Sequence, residues 1–204
     1  MYPVVLNLQK KLCLLVGGGM IAFRKAIPVL EAGGSLTVVA RDFVEGFQEL
    51  ATEYSMTLHK RSYESPEAAG YELVIAATSD RRVNETISRD AQAAGRLVNI
   101  VDVPDLCSFY VPAVVRRGSL NIAISTEGAF PSLTKVIKAD LEKSFSPRYA
   151  LLLDRLAEFR VKLRERVPDD KERQQKAAAV AGSEAVALFL AGDDSMLEAE
   201  LLLK

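Results

Sequence analysis

Residues 12–34, "LCLLVGGGMIAFRKAIPVLEAGG", constrain the fold more than any other part of the 204-residue chain. An apolar run enters three glycines and leaves them in a helical pattern, so a buried strand must turn sharply into a helix. Within it, Gly17-Gly18-Gly19-Met20-Ile21-Ala22 fits G-x-G-x-x-[GA]. Gly17 permits the tight turn, Gly19 lets a pyrophosphate approach the backbone, and Ala22 lets helix and strand pack closely. The N–H groups at the helix opening, at Met20 and Ile21, turn a partial positive charge toward phosphates. The pattern predicts a dinucleotide site built on Gly17, Gly19, Met20 and Ile21.

The rest of the first half repeats the alternation. Apolar runs at 12–16, 35–40, 56–60, 72–78 and 96–101 are separated by helical patterns at about 20–33, 43–54 and 81–94. Strands that are continuously apolar, instead of alternating, are buried on both faces, as in a parallel sheet covered by helices. Residues 1–112 are therefore expected to form an α/β, Rossmann-like doubly wound domain. A hairpin-like pair follows around Arg116-Arg117-Gly118-Ser119, and residues 113–147 are expected to form a small dimerisation segment, its exposed edges pairing across a two-fold axis. From Pro131 only helical patterns remain, at 131–145, 148–166, 170–180 and 182–203, with Gly182 and Gly192 as stops or weak points. Residues 148–204 are expected to be an all-α domain.

In such a sheet the second strand supplies the group that meets the adenosine ribose. Here it ends "VVARDF", giving Arg41, suited to a 2′-phosphate, and Asp42, suited to a free 2′-hydroxyl; the balance favours NAD. "AATSDRRVN" ends the fourth strand, which makes Thr78 and Ser79 cofactor neighbours and Asp80 a helix cap.

Charge excludes some partners. With 26 Lys and Arg against 27 Asp and Glu, nothing global recommends nucleic acid or an anionic membrane. The one local excess is residues 113–148, with six basic and three acidic side chains, where an anionic ligand is expected. Two distant cysteines argue against a disulfide framework or structural zinc, and a reducing cytoplasm fits them. His59 is the only histidine and lacks partners at ligand spacing, so no metal site is expected. The N-terminus has no signal-peptide pattern, and the chain is expected to be soluble and unprocessed.

Residues 99–142, "NIVDVPDLCSFYVPAVVRRGSLNIAISTEGAFPSLTKVIKADLE", together with "VGGGMIAFRKAIPVLEAGG" and "IAATSD", resemble the precorrin-2 dehydrogenase / sirohydrochlorin ferrochelatase family, including the N-terminal module of siroheme synthase. The resemblance runs in order along essentially the whole chain and fits a stand-alone form with no methyltransferase domain after it. It implies NAD-dependent oxidation of precorrin-2 to sirohydrochlorin, followed in some members by ferrous iron insertion, in a homodimer.

It also implies that Asp102 of "NIVD" is catalytic. That residue lies just past a strand's carboxyl end, where a carboxylate has a chemical use as a base; its alternative use is to cap the turn at Pro104. Arg116 and Arg117 are expected to meet substrate carboxylates, or else to be solvated turn charges. Ser125, Thr126 and Gly128 match the family's polar glycine loop, Thr126 standing at a position that is a phosphorylatable serine in a relative. Glu127 and Phe130 depart from that loop's pattern. An NAD-sensing dimeric regulatory module is the competing reading, and it has no need of Asp102 or a basic segment.

Overall fold

The computed structural model describes residues 1–203, which divide into two compact units, Met1–Val111 and the residues from Pro112 onward. The first is a five-stranded, wholly parallel sheet in the order β3-β2-β1-β4-β5, made of β1 (Leu12–Val16), β2 (Ser35–Ala40), β3 (Thr57–Lys60), β4 (Leu73–Ala76) and β5 (Leu97–Ile100). Helices α1 (Met20–Glu31), α2 (Phe47–Tyr54) and α3 (Arg81–Ala93) form the crossovers, with a short 3-10 turn at Glu67–Gly70 between β3 and β4.

Strand burial explains why the apolar runs are continuous. Alternate residues of β1 serve opposite faces: Cys13 and Leu15 join Ala22, Ala26 and Leu30 of α1, whereas Leu14 and Val16 join Ile87 and Ala91 of α3. Both faces are covered, so neither can be polar. Phe47 fills the first face completely buried, with Phe23 and Phe43 edge-on to it at 5.3 Å between ring centres. α2 starts at Phe47, four residues later than the hydrophobic period suggests. The cause is Gly46, whose left-handed φ of +98° interrupts the helical backbone just before it.

The second unit holds a two-stranded antiparallel sheet of β6 (Ala113–Arg117) and β7 (Leu120–Ile124), then α4 (Pro131–Ser144), α5 (Arg148–Arg166), α6 (Asp170–Ala181), α7 (Glu184–Ala191) and α8 (Leu197–Leu203). The hairpin and α4 thus share one compact unit with the later helices, where the sequence suggests two segments. Its core joins Leu152, Phe159 and Leu163 of α5 to Val180, Val186, Phe189 and Leu197. The single helical pattern over 182–203 is two helices, broken at Gly192 with φ +111°. Arg148 ties α5 to the end of α7 by stacking on the Phe189 ring at 4.2 Å and pairing with Asp194. Among the described residues no helix is long and apolar enough to cross a membrane.

Candidate functional site

A cleft of about 810 Å³ opens at the carboxyl edge of the parallel sheet, lined by residues of the first unit alone. It sits where the strand order reverses between β1 and β4, the place where open α/β sheets hold ligands. Its wall gathers Gly17, Gly19, Met20, Ile21, Arg41, Asp42, Thr78, Ser79 and Asp102 from separate stretches of sequence.

The glycine turn divides its labour in a definite way. Gly17 has φ +130°, and a β-carbon there would lie 2.5 Å from the Ala77 carbonyl oxygen. At Gly18 it would lie 1.9 Å from the Asp42 carbonyl oxygen, because the loop after β2 folds onto the turn and donates Val44 N–H to Gly18 O at 2.8 Å. At Gly19 it would meet nothing within 4 Å. Thus two glycines are demanded by the protein itself, and the third leaves free space at the start of α1. No side chain caps that helix and no acidic residue stands in its first turn. The free N–H groups and open space fit a dinucleotide pyrophosphate.

The two strand-end aspartates differ in what their carboxylates do. Asp80 is the N-cap of α3, accepting from Arg82 N–H at 2.9 Å and Val83 N–H at 3.2 Å. Asp102 is exposed, has φ +62°, and caps nothing: the short turn Pro104–Leu106 has no side-chain cap. Its carboxylate has no hydrogen-bond or ion-pair partner among the described residues. The bend that carries it is fastened on both sides. Val101 N–H reaches Ala76 O at 2.9 Å, and the Cys107 sulfur accepts Ile100 N–H at 3.2 Å while lying 3.3 Å from Val103 O. Burial raises the Cys107 thiol above its ordinary range, so it serves as a neutral staple at physiological pH.

Thr78 is fixed by Asn84, a buried residue that sequence reasoning missed. The Thr78 hydroxyl donates to Asn84 Oδ1 at 2.8 Å and the Asn84 amide returns a bond to Thr78 O at 3.1 Å. Also missed were Arg61, Ser62 and Tyr63, which line the cleft beyond β3. Tyr63 is anchored there by donating to Asp90 at 2.8 Å. Asp42 pairs with Lys60 at 2.9 Å, both largely in solvent. His59 is exposed, and no cluster of three potential metal ligands occurs among the described residues.

The candidates of the second unit lie on its hairpin and the loop after it. Arg117 is committed to backbone, its guanidinium donating to Phe145 O at 2.6 Å, Glu142 O at 3.0 Å and Arg116 O at 2.8 Å, which closes the carboxyl end of α4. Arg116 is exposed. In the loop, Ser125 accepts Glu127 N–H at 3.1 Å and Thr126 accepts Phe130 N–H at 3.2 Å. Glu127 and Gly128 both take left-handed φ, +52° and +86°. Backbone of this sign favours glycine, and Glu127 holds it at a small steric cost.

Residues 4–113 match the family model described as "Putative NAD(P)-binding". The chain is 36% identical over 172 residues to siroheme synthase of Methylococcus capsulatus, covering 84% of this chain and 36% of that protein. It is 41% identical over 172 residues to siroheme synthase of Pseudomonas putida, covering 84% and 37%. The chain therefore spans about a third of the length of the curated relatives it matches. A solved structure titled "SirC, precorrin-2 dehydrogenase" superposes with a TM-score of 0.83 at 27% identity, covering 100% of this chain and 98% of that one.

Proposed function

The chain belongs to the NAD(P)-binding family matched over residues 4–113, and on that premise we propose that it oxidises precorrin-2 to sirohydrochlorin with NAD. The observation that carries the reading is the unpartnered Asp102 carboxylate, presented by a left-handed bend on the border of the cleft that holds the glycine turn. The likeness over full length to a precorrin-2 dehydrogenase supports the same substrate.

Dehydrogenation must part a hydride from a proton, and NAD, when bound, supplies the hydride acceptor. Asp102 offers a carboxylate oxygen for the proton. Gly17 and Gly19, with the N–H groups of Met20 and Ile21, would hold the pyrophosphate; Asp42 would accept from the adenosine ribose with Arg41 beside it; Thr78 and Ser79 would be further cofactor neighbours. Within the second unit, Arg116 and the loop residues Ser125, Thr126 and Gly128 are assigned to the substrate's carboxylates, because this segment carries the chain's basic excess. The reading includes ferrous iron as a further substrate, with Asp102 taking pyrrole protons during insertion.

A homodimer belongs to the same reading. No residue of α4 is buried, and Phe130 before it together with its Leu133 and Val136 is exposed beside a two-stranded sheet, an arrangement that a second copy would cover. The family resemblance supplies the identity of that copy.

The test is Asp102→Asn, chosen because asparagine tolerates left-handed backbone. The variant is expected to fold and bind NAD as the wild type does while losing at least about 100-fold in turnover, the usual scale of a lost acid or base. Undiminished turnover would remove Asp102 from the mechanism.

A further inference from the structure

The carboxyl ends of β2 and β3 bring three cations to one end of the cleft, and the structure treats each differently. The strands pair in parallel with Ala40 opposite Lys60, so Arg41 and Arg61 are the first residues beyond adjacent strands, and both border the cleft. Arg41 is exposed and has no ion-pair partner among the described residues. Lys60 meets Asp42 at 2.9 Å, but with those side chains 71% and 85% exposed the pair is loose and readily exchanged with a ligand.

Arg61 is locked. Its two terminal nitrogens donate to the two oxygens of Glu67 at 3.0 and 2.7 Å, and one of them also donates to Ser62 O at 3.0 Å. The Glu67 carboxylate accepts Glu64 N–H at 2.8 Å as well, which fixes its place at the head of the 3-10 turn. Partial burial works to raise the Glu67 carboxyl, but its bonds from Arg61 and Glu64 outweigh this and hold it below the ordinary carboxylate range. The pair is therefore fully ionised at neutral pH, and a bidentate fork of this kind holds its geometry better than an exposed lysine contact.

We propose that Glu67 is a specificity-determining residue for the dinucleotide: by holding Arg61 in a bidentate pair, it withdraws a cation from the adenosine end of the cleft and so favours a free 2′-hydroxyl over a 2′-phosphate. The inference rests on reading the cleft as a dinucleotide site. A 2′-phosphate gains most from a guanidinium with free parallel donors, and this one has spent them. What remains is Arg41 next to Asp42, whose carboxylate accepts from a hydroxyl and repels a phosphate.

The test needs no turnover. Binding of adenosine 5′-monophosphate and adenosine 2′,5′-bisphosphate to the full-length protein is measured by calorimetry for the wild type, Glu67→Gln, Arg61→Gln and the double variant. The amide introduced by Glu67→Gln keeps an acceptor for Glu64 N–H and removes the charge. The wild type is expected to prefer the monophosphate. Glu67→Gln should shift the ratio toward the bisphosphate by about tenfold, the scale of one charge-assisted hydrogen bond. The double variant should show the wild-type ratio, since Arg61 contributes to 2′-phosphate binding only when released; Arg61→Gln alone, which bares the Glu67 carboxylate, should bind the bisphosphate no more tightly than the wild type.

An unshifted ratio in folded Glu67→Gln would overturn the proposal, as would a shift that persists without Arg61. If Glu67→Gln alone does not fold, the double variant, which leaves no bare carboxylate, decides: weakened bisphosphate binding in it would show that Arg61 is already available in the wild type, against the proposal, and an unchanged ratio supports it. If the wild type binds neither probe, the dinucleotide reading itself falls and this inference with it.

Discussion

The carbonyl oxygen of Asp42 lies 1.9 Å from the point where a β-carbon on Gly18 would stand, whereas the corresponding point on Gly19, one residue along, is empty to 4 Å. The loop that carries Asp42 is thus packed directly on the glycine turn: the fold itself demands Gly18, whereas Gly19 borders open space.

Gly18→Ala and Gly19→Ala should separate the two cases. The first forces backbone apart and should cost about 1–3 kcal/mol of stability, as overpacked substitutions do. The second keeps an ordinary φ of −83° and should fold within about 1 kcal/mol of the wild type, while its methyl occupies phosphate space. Thermal denaturation with and without NAD distinguishes them: the wild type should gain stability from NAD and Gly19→Ala should not. A full NAD-induced gain in Gly19→Ala would contradict the assignment.

The two strand-end aspartates should show opposite phenotypes. Asp80→Ala removes a two-bond helix cap and should lose about 1 kcal/mol of stability while keeping turnover. Asp102→Asn should keep stability and lose turnover. Urea denaturation and initial rates on the same preparations check both.

Arg117→Ala should act on folding before binding. Its guanidinium serves three backbone carbonyls, and their loss should cost about 1–3 kcal/mol in the second unit. Arg116→Ala should raise KM for the tetrapyrrole. Equal KM effects from both variants at unchanged stability would count against this division.

Thiol chemistry gives a pH prediction with a definite sign. Burial, followed by the nearby Glu72 charge, raises the Cys13 thiol from 9.0 to about 11. A folded-state value above the unfolded one means the unfolded chain releases its proton first as pH rises. The contribution is complete below about 9 and is lost as pH climbs toward 11. The urea midpoint should fall across that window, and Cys13→Ala should flatten the fall. At neutral pH neither cysteine should be alkylated by iodoacetamide until the protein is unfolded.

What the sequence makes legible follows from how local each signal is. Strands β1, β2, β4 and β5 are covered on both faces and mostly apolar, so their positions read directly from the hydrophobic runs, and the glycine turn has a fixed spacing. Asp42 and Asp102 are legible because their distance past a strand end defines their place in the cleft. Arg61, Ser62 and Tyr63 are not: β3 is short and largely exposed, its apolar signal is faint, and the partners that hold the segment, Glu67 and Asp90, come from a turn and a distant helix. Asn84 is hidden for a related reason, since a polar residue on a helix reads as solvated until Thr78 is seen across from it. Arg117 is a surface charge in sequence and a helix-closing group in space.

The most direct measurement is anaerobic incubation of the protein with precorrin-2 and NAD, following NADH and sirohydrochlorin absorbance together, with ferrous iron added in a second stage. The account predicts equimolar NADH and sirohydrochlorin in the first stage, and in the second, metal uptake faster than the spontaneous reaction. No NADH from a protein that demonstrably binds NAD would contradict it and leave a dinucleotide-sensing module in its place.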